Sequence, residues 1–440
     1  MSTPNQTTTP IFKSTVIPTE NGGLALVGTF SVPLIFENTI DGLDHIEAQI
    51  EHAGQEFKRQ TTPAALEAAD AQCSKLFQQS QPHFIKNGKP PFTIVTQYGE
   101  IKFRRQRLRN TQANTQAKKT LTPSAILWQT SQHHHITSAT RKAACDASQE
   151  VSYRNAAKRL AEKAGTEQLV STSTVWNKKQ EKGKELEQNQ NDFVQQVQSG
   201  KEVTLSAGVP SNSTRRIEEG TIQCQLDEIK TKSQEKDKKW NLTYTATIET
   251  AEGLCYYLAG RSVEQLSMVL MAYLMMLGYL DKKLEVVSDG ATWISDWVGS
   301  VTQVPVVQIL CWFHLRKRIY ESLGAVGLAK EQRELLEREI LGLLWRGKTA
   351  QVVWILWELR SKSRVPKRID DLMGYLLRKR RLIVDYGSRR GEGLWLASTR
   401  VEGWNDTAVA DRCKHRGASW TVSGVLAVAL YQAKKLNTNS

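Results

Sequence analysis

The chain has 440 residues, 40% of them apolar, and 59 Lys and Arg against 45 Asp and Glu give a formal net charge of +14. Such a length exceeds what one core normally organises, so two or three domains are expected. The basic excess argues against a polycationic partner and for a polyanionic one, because Lys and Arg that neutralise phosphates release counterions; a merely basic surface is the bland alternative.

Six scattered cysteines without a C-x-x-C pair speak against a disulfide framework and a zinc ribbon, and suit a reducing cytoplasm. The N-terminus lacks the basic flank and apolar run of a signal peptide. The most apolar helix candidate, Met268 to Leu280, is shorter than the ~20 residues a bilayer requires, so a soluble protein without a membrane partner is expected.

In chain order, residues 1–70 carry nine acids and three bases, whereas 101–120 carry seven bases and no acid, a shift that separates an acidic start from a basic segment. A strand is predicted over Gly23 to Phe36, helices around Ile40 to Phe57 and Pro63 to Gln79, and a hairpin over Phe92 to Phe103 about Tyr98-Gly99. Between Arg104 and Thr122 the Arg, Lys, Gln, Asn and Thr residues bury too little surface to fold alone. They suit phosphate contact through Arg104, Arg105, Arg107 and Arg109, or else a solvated linker.

From Ser152, Tyr153, Ala156, Ala157, Leu160, Ala161 and Ala164 fall at helical spacing, with Gly165 as a stop. Ser171 is the expected N-cap of a second helix, with Val175 and Trp176 facing inward and Thr174, Asn177, Lys178 and Lys179 mostly outward. Helix, short turn and polar second helix is the shape of a DNA-reading helix-turn-helix, although helical hairpins that never touch DNA look the same. Lys179 to Gly200 reads as a linker or exposed helix and a domain boundary.

Two strand-like runs then end in acids, Ile222 to Asp227 and Leu284 to Asp289-Gly290. Between and after them come predicted strands at Asn241 to Thr250 and Leu254 to Gly260, a helix from Ser262 to Leu280, a helix around Thr292 to Val301 and a strand at Val306 to Cys311. This is an α/β pattern with one mixed sheet, in the order of a ribonuclease H-like fold. That order sets Asp227 and Asp289 side by side although 289 − 227 = 62 positions separate them. Their hard carboxylate oxygens suit magnesium or manganese. Glu228 must point to the opposite face from Asp227, and Asp296 is placed on the following helix.

Two carboxylates hold two ions poorly, and Glu402 is the preferred third acid, with Glu392, Asp406 and Asp411 as rivals. It precedes a helix ending near Arg412, a further DNA-binding candidate. Trp345, Trp354 and Trp357, at helical intervals in the long stretch before it, are read as packing rather than base stacking. Residues 361–400 hold eleven bases against four acids, suited to a DNA channel or a solvated face.

Several blocks together resemble the DDE transposases of bacterial insertion sequences, of the ISKra and ISLre type related to Mutator-like enzymes. They are Leu226-Asp227-Glu228, Val287-Ser-Asp289-Gly290, Cys311-Trp-Phe-His314-Leu-Arg-Lys, Val401-Glu402, and Arg412-x-Lys-x-x-Gly417-x-x-Trp420. Ser152-Tyr153-x-x-Ala156-Ala157 resembles that group's upstream helix-turn-helix. Ala397-Ser398-Thr399-Arg400 departs from the group's frequent Gly-Ser-Gly-like lead to the third acid.

The resemblance implies metal-dependent DNA cleavage at element ends and strand transfer into target DNA. It implies a pair of Mg2+ (or Mn2+) ions on Asp227, Asp289 and Glu402, with Cys311 and His314 in support, and an all-helical insertion before Glu402. It further implies double-stranded DNA as partner, a homo-oligomer on DNA, and a bacterial cytoplasmic location at the nucleoid when DNA is bound. The competing reading is a domesticated, non-catalytic DNA-binding protein or regulator.

The expected organisation is an N-terminal α+β region with the basic segment (1–125), then a helix-turn-helix region and linker (126–200). The first part of the catalytic core (201–318), a helical insertion (319–390) and the C-terminal part of the core with the third acid (391–440) follow.

Overall fold

A computed structural model of the chain describes residues 11–18, 24–31, 42–112, 120–130, 134–324, 326–361, 363, 365–415 and 417–438. Its contacts divide into two units, residues 1–179 and 180–440, with a mainly helical stretch leading into a sheet-rich second unit.

In the first unit, β1 (Ile11–Pro18) pairs antiparallel with β2 (Leu24–Ser31); the expected strand over Gly23 to Phe36 otherwise lies outside the described residues. The two helices expected next are one, α1 (Gly42–Ser80), with Pro63 inside it. Proline removes a donor and crowds the preceding turn, and the Thr61 and Thr62 hydroxyls donate to the Phe57 and Lys58 carbonyls there. Three short segments follow: β3 (Phe84–Lys86), β4 (Pro91–Thr96) and β5 (Gly99–Arg104). The β4–β5 pair is the expected hairpin, with Phe92 opposite Phe103.

The basic stretch contributes β6 (Leu108–Asn110) and β7 (Thr120–Leu121), while its residues 113–119 lie outside the described set. After α2 (Pro123–Leu127) and β8 (His134–Ile136) come α3 (Ser138–Glu150) and α4 (Tyr153–Lys163). Ser152 caps α4 by accepting from Asn155 N at 3.2 Å.

Helix α5 (Thr172–Gln198) starts at its expected cap, Ser171 Oγ accepting from Thr174 N at 3.1 Å. The inward face differs from expectation. Val175 and Lys179 are fully buried and Trp176 is 45% exposed, since positions four apart share a helix face and neighbours do not. Lys179 Nζ donates to the Cys145 carbonyl and to Gln149 Oε1, which makes its burial tolerable. The helix runs on past Lys179 to Gln198, the helical alternative for this stretch and not the linker, but it is not exposed throughout: Val194 and Val197 enter the second unit's core.

That unit is built on a six-stranded sheet. Its strands are β9 (Val209–Pro210), β10 (Thr221–Lys232), β11 (Trp240–Thr250), β12 (Leu254–Gly260), β13 (Lys283–Ser288) and β14 (Val306–Leu310), in the order β14-β13-β10-β11-β12-β9. β10, β13 and β14 run parallel, whereas β11 and β12 are antiparallel to their neighbours. Helices α6 (Val263–Met276) and α7 (Thr292–Ser300) cover one face, where Ile222, Cys224, Leu226 and Val286 are buried. Apart from the short β9, which the sequence reading did not place, and the run of β10 beyond Asp227 to Lys232, these elements match the sequence reading to within a few residues.

The helices after β14 are α8 (Trp312–Gly324), α9 (Lys330–Trp345), α10 (Thr349–Arg360), α11 (Pro366–Lys379) and α12 (Tyr386–Gly391). They pack with Val287 and Ile309 into a second cluster. Trp345 stacks among Trp312 and Tyr386, as packing requires, but Trp354 and Trp357 are 60% and 59% exposed and lie against each other. Last come α13 (Thr399–Asn405), α14 (Asp411–Cys413) and the buried α15 (Val422–Asn437). A Cβ on Gly183 of α5 would sit 2.3 Å from the Ala427 side chain, so only glycine allows this approach to α15. All six cysteines are free thiols, and among the described residues no helix is long and apolar enough to cross a membrane.

Candidate active site

Side chains alternate along β10, so Cys224, Leu226 and Glu228 share one face while Gln223, Gln225 and Asp227 share the other. The parallel register pairs Leu226 with Ser288, the last residue of β13, so one step further Asp289 follows the end of β13 beside Asp227, which lies midway along β10. Glu228 turns away and pairs with Lys230 at 3.2 Å.

The chain leaves β13 through Gly290, at φ +78°, where a Cβ would lie 2.9 Å from Leu310. Asp289 Oδ1 accepts from Ala291 N at 2.8 Å, and the Lys379 ammonium donates to the Gly290 carbonyl. The turn carrying this acid is therefore held from two sides.

Helix α13 lies along the Asp227 face of β10. Gln225 Oε1 accepts from the Arg400 and Val401 amides at 2.9 and 3.2 Å, capping the helix start. Asn405 Nδ2 donates to Asp227 Oδ2 at 2.8 Å at its other end. Arg400 adds a buried ion pair to Glu249 at 2.6 Å. Neither Gln225 nor Asn405 stands out in the sequence. The signals for them were the two-residue step from Gln225 to Asp227 on one strand face and the three-residue step from Glu402 to Asn405 on one helix.

Between these anchors stands Glu402. Its carboxylate accepts from Ser398 Oγ, lies 3.9 Å from Cys311 Sγ, and is 3.6 Å from His314 Nδ1. The lead Ala397-Ser398-Thr399-Arg400 thus does local work, since Ser398 touches both Glu402 and, through its amide, Cys311 Sγ at 3.5 Å. The rivals Glu392, Asp406 and Asp411 are all exposed.

Burial, reinforced by the charges of Asp289 and Glu402, pushes the Asp227 carboxyl up to about 6 against hydrogen bonds from Glu228 N and Asn405. Among the described residues no basic side chain pairs with Asp227 or Asp289. Clustered hard oxygen donors suit a divalent cation, while the His314 imidazole, 3.6 Å from Glu402, supplies a counter-charge on one side of the site. The contact with Cys311 holds the His314 imidazole up to about 9 in spite of burial. Burial raises the Cys311 thiol, but His314 and Ser398 together outweigh it and leave the thiol below its ordinary value.

The other candidates are spread over both units. Arg104, Arg107 and Arg109 are exposed. Arg105 is turned inward, 2% exposed, with its guanidinium 3.4 Å above the Phe92 ring and a hydrogen bond to Thr130. Arg412 is 6% exposed over Trp420. In each case an aromatic face takes the cation out of reach of phosphate. On α5, Asn177 is exposed and Thr174 and Lys178 are half-buried.

Beside α13 opens a cleft of about 530 Å3 lined in part by Arg215, Tyr257, Trp395, Arg400, Trp404 and Gln432.

A family model described as an uncharacterised protein family, UPF0236, matches residues 38–206. No curated protein matches the chain.

Proposed function

We propose that the protein is a DNA transposase that cuts at the ends of a mobile element and joins them to target DNA, on a ribonuclease H-like sheet. The observation that carries this reading is that Asp227 feels the charges of two acids distant in sequence, Asp289 and Glu402, although among the described residues the metal-spaced group is Cys311, His314 and Glu402 and not the three acids. Asp227 and Asp289 each come one step past the last parallel pair, Leu226 with Ser288, and Glu402 rides a helix tied to β10 by Gln225 and Asn405.

Asp227, Asp289 and Glu402 would hold magnesium or manganese. When bound as a pair, such ions lower the pKa of a nucleophilic water or 3′-hydroxyl and stabilise the leaving oxygen of an in-line displacement. The chain's own part is to hold the acids. Asn405 and the Glu228 amide orient Asp227, the Asp289 turn is fixed by Gly290 and Lys379, and Ser398 orients Glu402.

Upstream, α4 and α5 are read as a helix-turn-helix. Support comes from the two serine caps and from the outward Trp176 and Asn177 at the start of α5. Arg104, Arg107 and Arg109 supply phosphate contacts in the same unit, and joining two ends calls for a homo-oligomer on DNA.

The test is strand cleavage of DNA carrying the sequences that flank the gene, with Mg2+ present. Asp227→Asn, Asp289→Asn and Glu402→Gln should each lower cleavage by roughly a thousandfold, several kcal/mol of transition-state stabilisation, with end binding largely intact. Wild-type cleavage by any of the three would remove that residue from the site, and by all three would end the proposal.

A further inference from the structure

We propose that Cys311, His314 and Glu402 form a second metal site, selective for a zinc-class dication, that shares Glu402 with the magnesium site. The three ligand atoms lie within 4.8 Å of one another. Tetrahedral zinc with bonds of about 2.3 Å to sulfur and about 2.0 to 2.1 Å to nitrogen and oxygen sets S···O near 3.6 Å and N···O near 3.3 Å. The observed separations are 3.9 Å for Cys311 Sγ to Glu402 Oε1 and 3.6 Å for His314 Nδ1 to the same oxygen. A contraction of about 0.3 Å, within the movement of a side-chain rotamer, closes the site.

Independent features of the cluster suit a bound ion. His314 Nδ1 is buried and held only by the Cys311 thiol and by Glu402 at 3.6 Å, beyond hydrogen-bond length, so a metal bond would improve its satisfaction. Cys311 stands between the end of β14 and the first turn of α8, where free amides and the helix dipole favour a thiolate. The Ser398 amide already donates to its sulfur. His314 retains 38% side-chain exposure, which leaves room for a water as fourth ligand. The thiolate discriminates against magnesium and manganese, which prefer oxygen, and in favour of zinc.

Zinc here would draw Glu402 towards Cys311 and away from Asp227. The regulatory consequence, zinc inhibition of magnesium-dependent cleavage, rests on the transposase reading. The binding itself does not.

The experiment titrates the metal-free, full-length protein with Co2+ and then Zn2+, without DNA. One equivalent of cobalt should produce a thiolate-to-cobalt charge-transfer band that zinc displaces. Cys311→Ser, with the other five cysteines retained, should abolish the band. His314→Ala should weaken zinc binding by at least the roughly 10- to 100-fold typical of losing even an outer partner. Asp227→Asn and Asp289→Asn should keep the band. Its absence from the wild-type protein, or its survival in Cys311→Ser, overturns the site. Should Cys311→Ser fail to fold, undiminished zinc affinity in His314→Ala would overturn it equally. Cleavage by Asp227→Asn with the cobalt band intact would refute the transposase reading and leave the zinc site standing.

Discussion

A carboxyl whose folded-state value is pushed up from 3.8 to about 6 opposes folding whenever it is ionised. For Asp227 the sign is that of a raised acid: its contribution is fully present below pH 4 and is lost as pH rises through 6. Asp227→Asn should therefore stabilise the metal-free protein at pH 7.5, by on the order of 1 to 3 kcal/mol and with a correspondingly higher melting temperature, the gain vanishing near pH 4. Mg2+ should raise the melting temperature of the wild type and not of the variant. A thermal-shift series across pH with and without Mg2+ checks both, and a variant less stable than wild type at pH 7.5 would contradict the account. Asp227 and Asp289 were legible in the sequence because each follows an apolar run; Asp289 does follow the end of β13, whereas Asp227 lies inside β10. Gln225 and Asn405 were not legible, because a neutral amide carries no pattern until the helix it anchors is in place.

Elements with strong periodicity were read close to their true limits: β11 to β14, α6 and α7 lie where alternation or caps put them, whereas β9 was missed and β10 runs on past Asp227 to Lys232. The misreadings have separate physical causes. Pro63 suggested two helices where α1 runs through, and polar composition hid the burial of α5 beyond Lys179, whose ammonium is satisfied by Cys145 and Gln149. Helical spacing alone could not tell Trp345, which is packed, from Trp354 and Trp357, which are largely exposed. The link between β13 and α7 depends on one residue in the left-handed region. Gly290→Ala meets both an unfavourable φ and the Leu310 side chain at 2.9 Å, so a loss of roughly 1 to 3 kcal/mol in denaturant unfolding is expected. Removing the anchor of α13 instead, with Gln225→Ala, should lower Mg2+-dependent cleavage more than it lowers stability, since the helix start loses its acceptor while Glu249 and Asn405 still hold it.

At the scale of the whole molecule a net charge of +14 predicts salt-sensitive DNA binding, but charge counted from sequence overstates the contact set. Arg105 and Arg412 lie under aromatic rings with 2% and 6% exposure, whereas Arg104, Arg107 and Arg109 are open to solvent. Arg104→Ala and Arg109→Ala should each reduce the slope of log affinity against log salt by about 1, while weakening binding to all DNA sequences alike. Arg105→Ala should leave that slope unchanged and lower stability, because it strips the cation from Phe92 and the bond from Thr130. Trp176→Ala and Asn177→Ala, on the open face of α5, should narrow the preference for element ends over random DNA with the slope unaltered. Fluorescence anisotropy at several salt concentrations separates these behaviours. Equal slopes for wild type, Arg104→Ala and Arg109→Ala would place the DNA path away from the basic segment of the first unit.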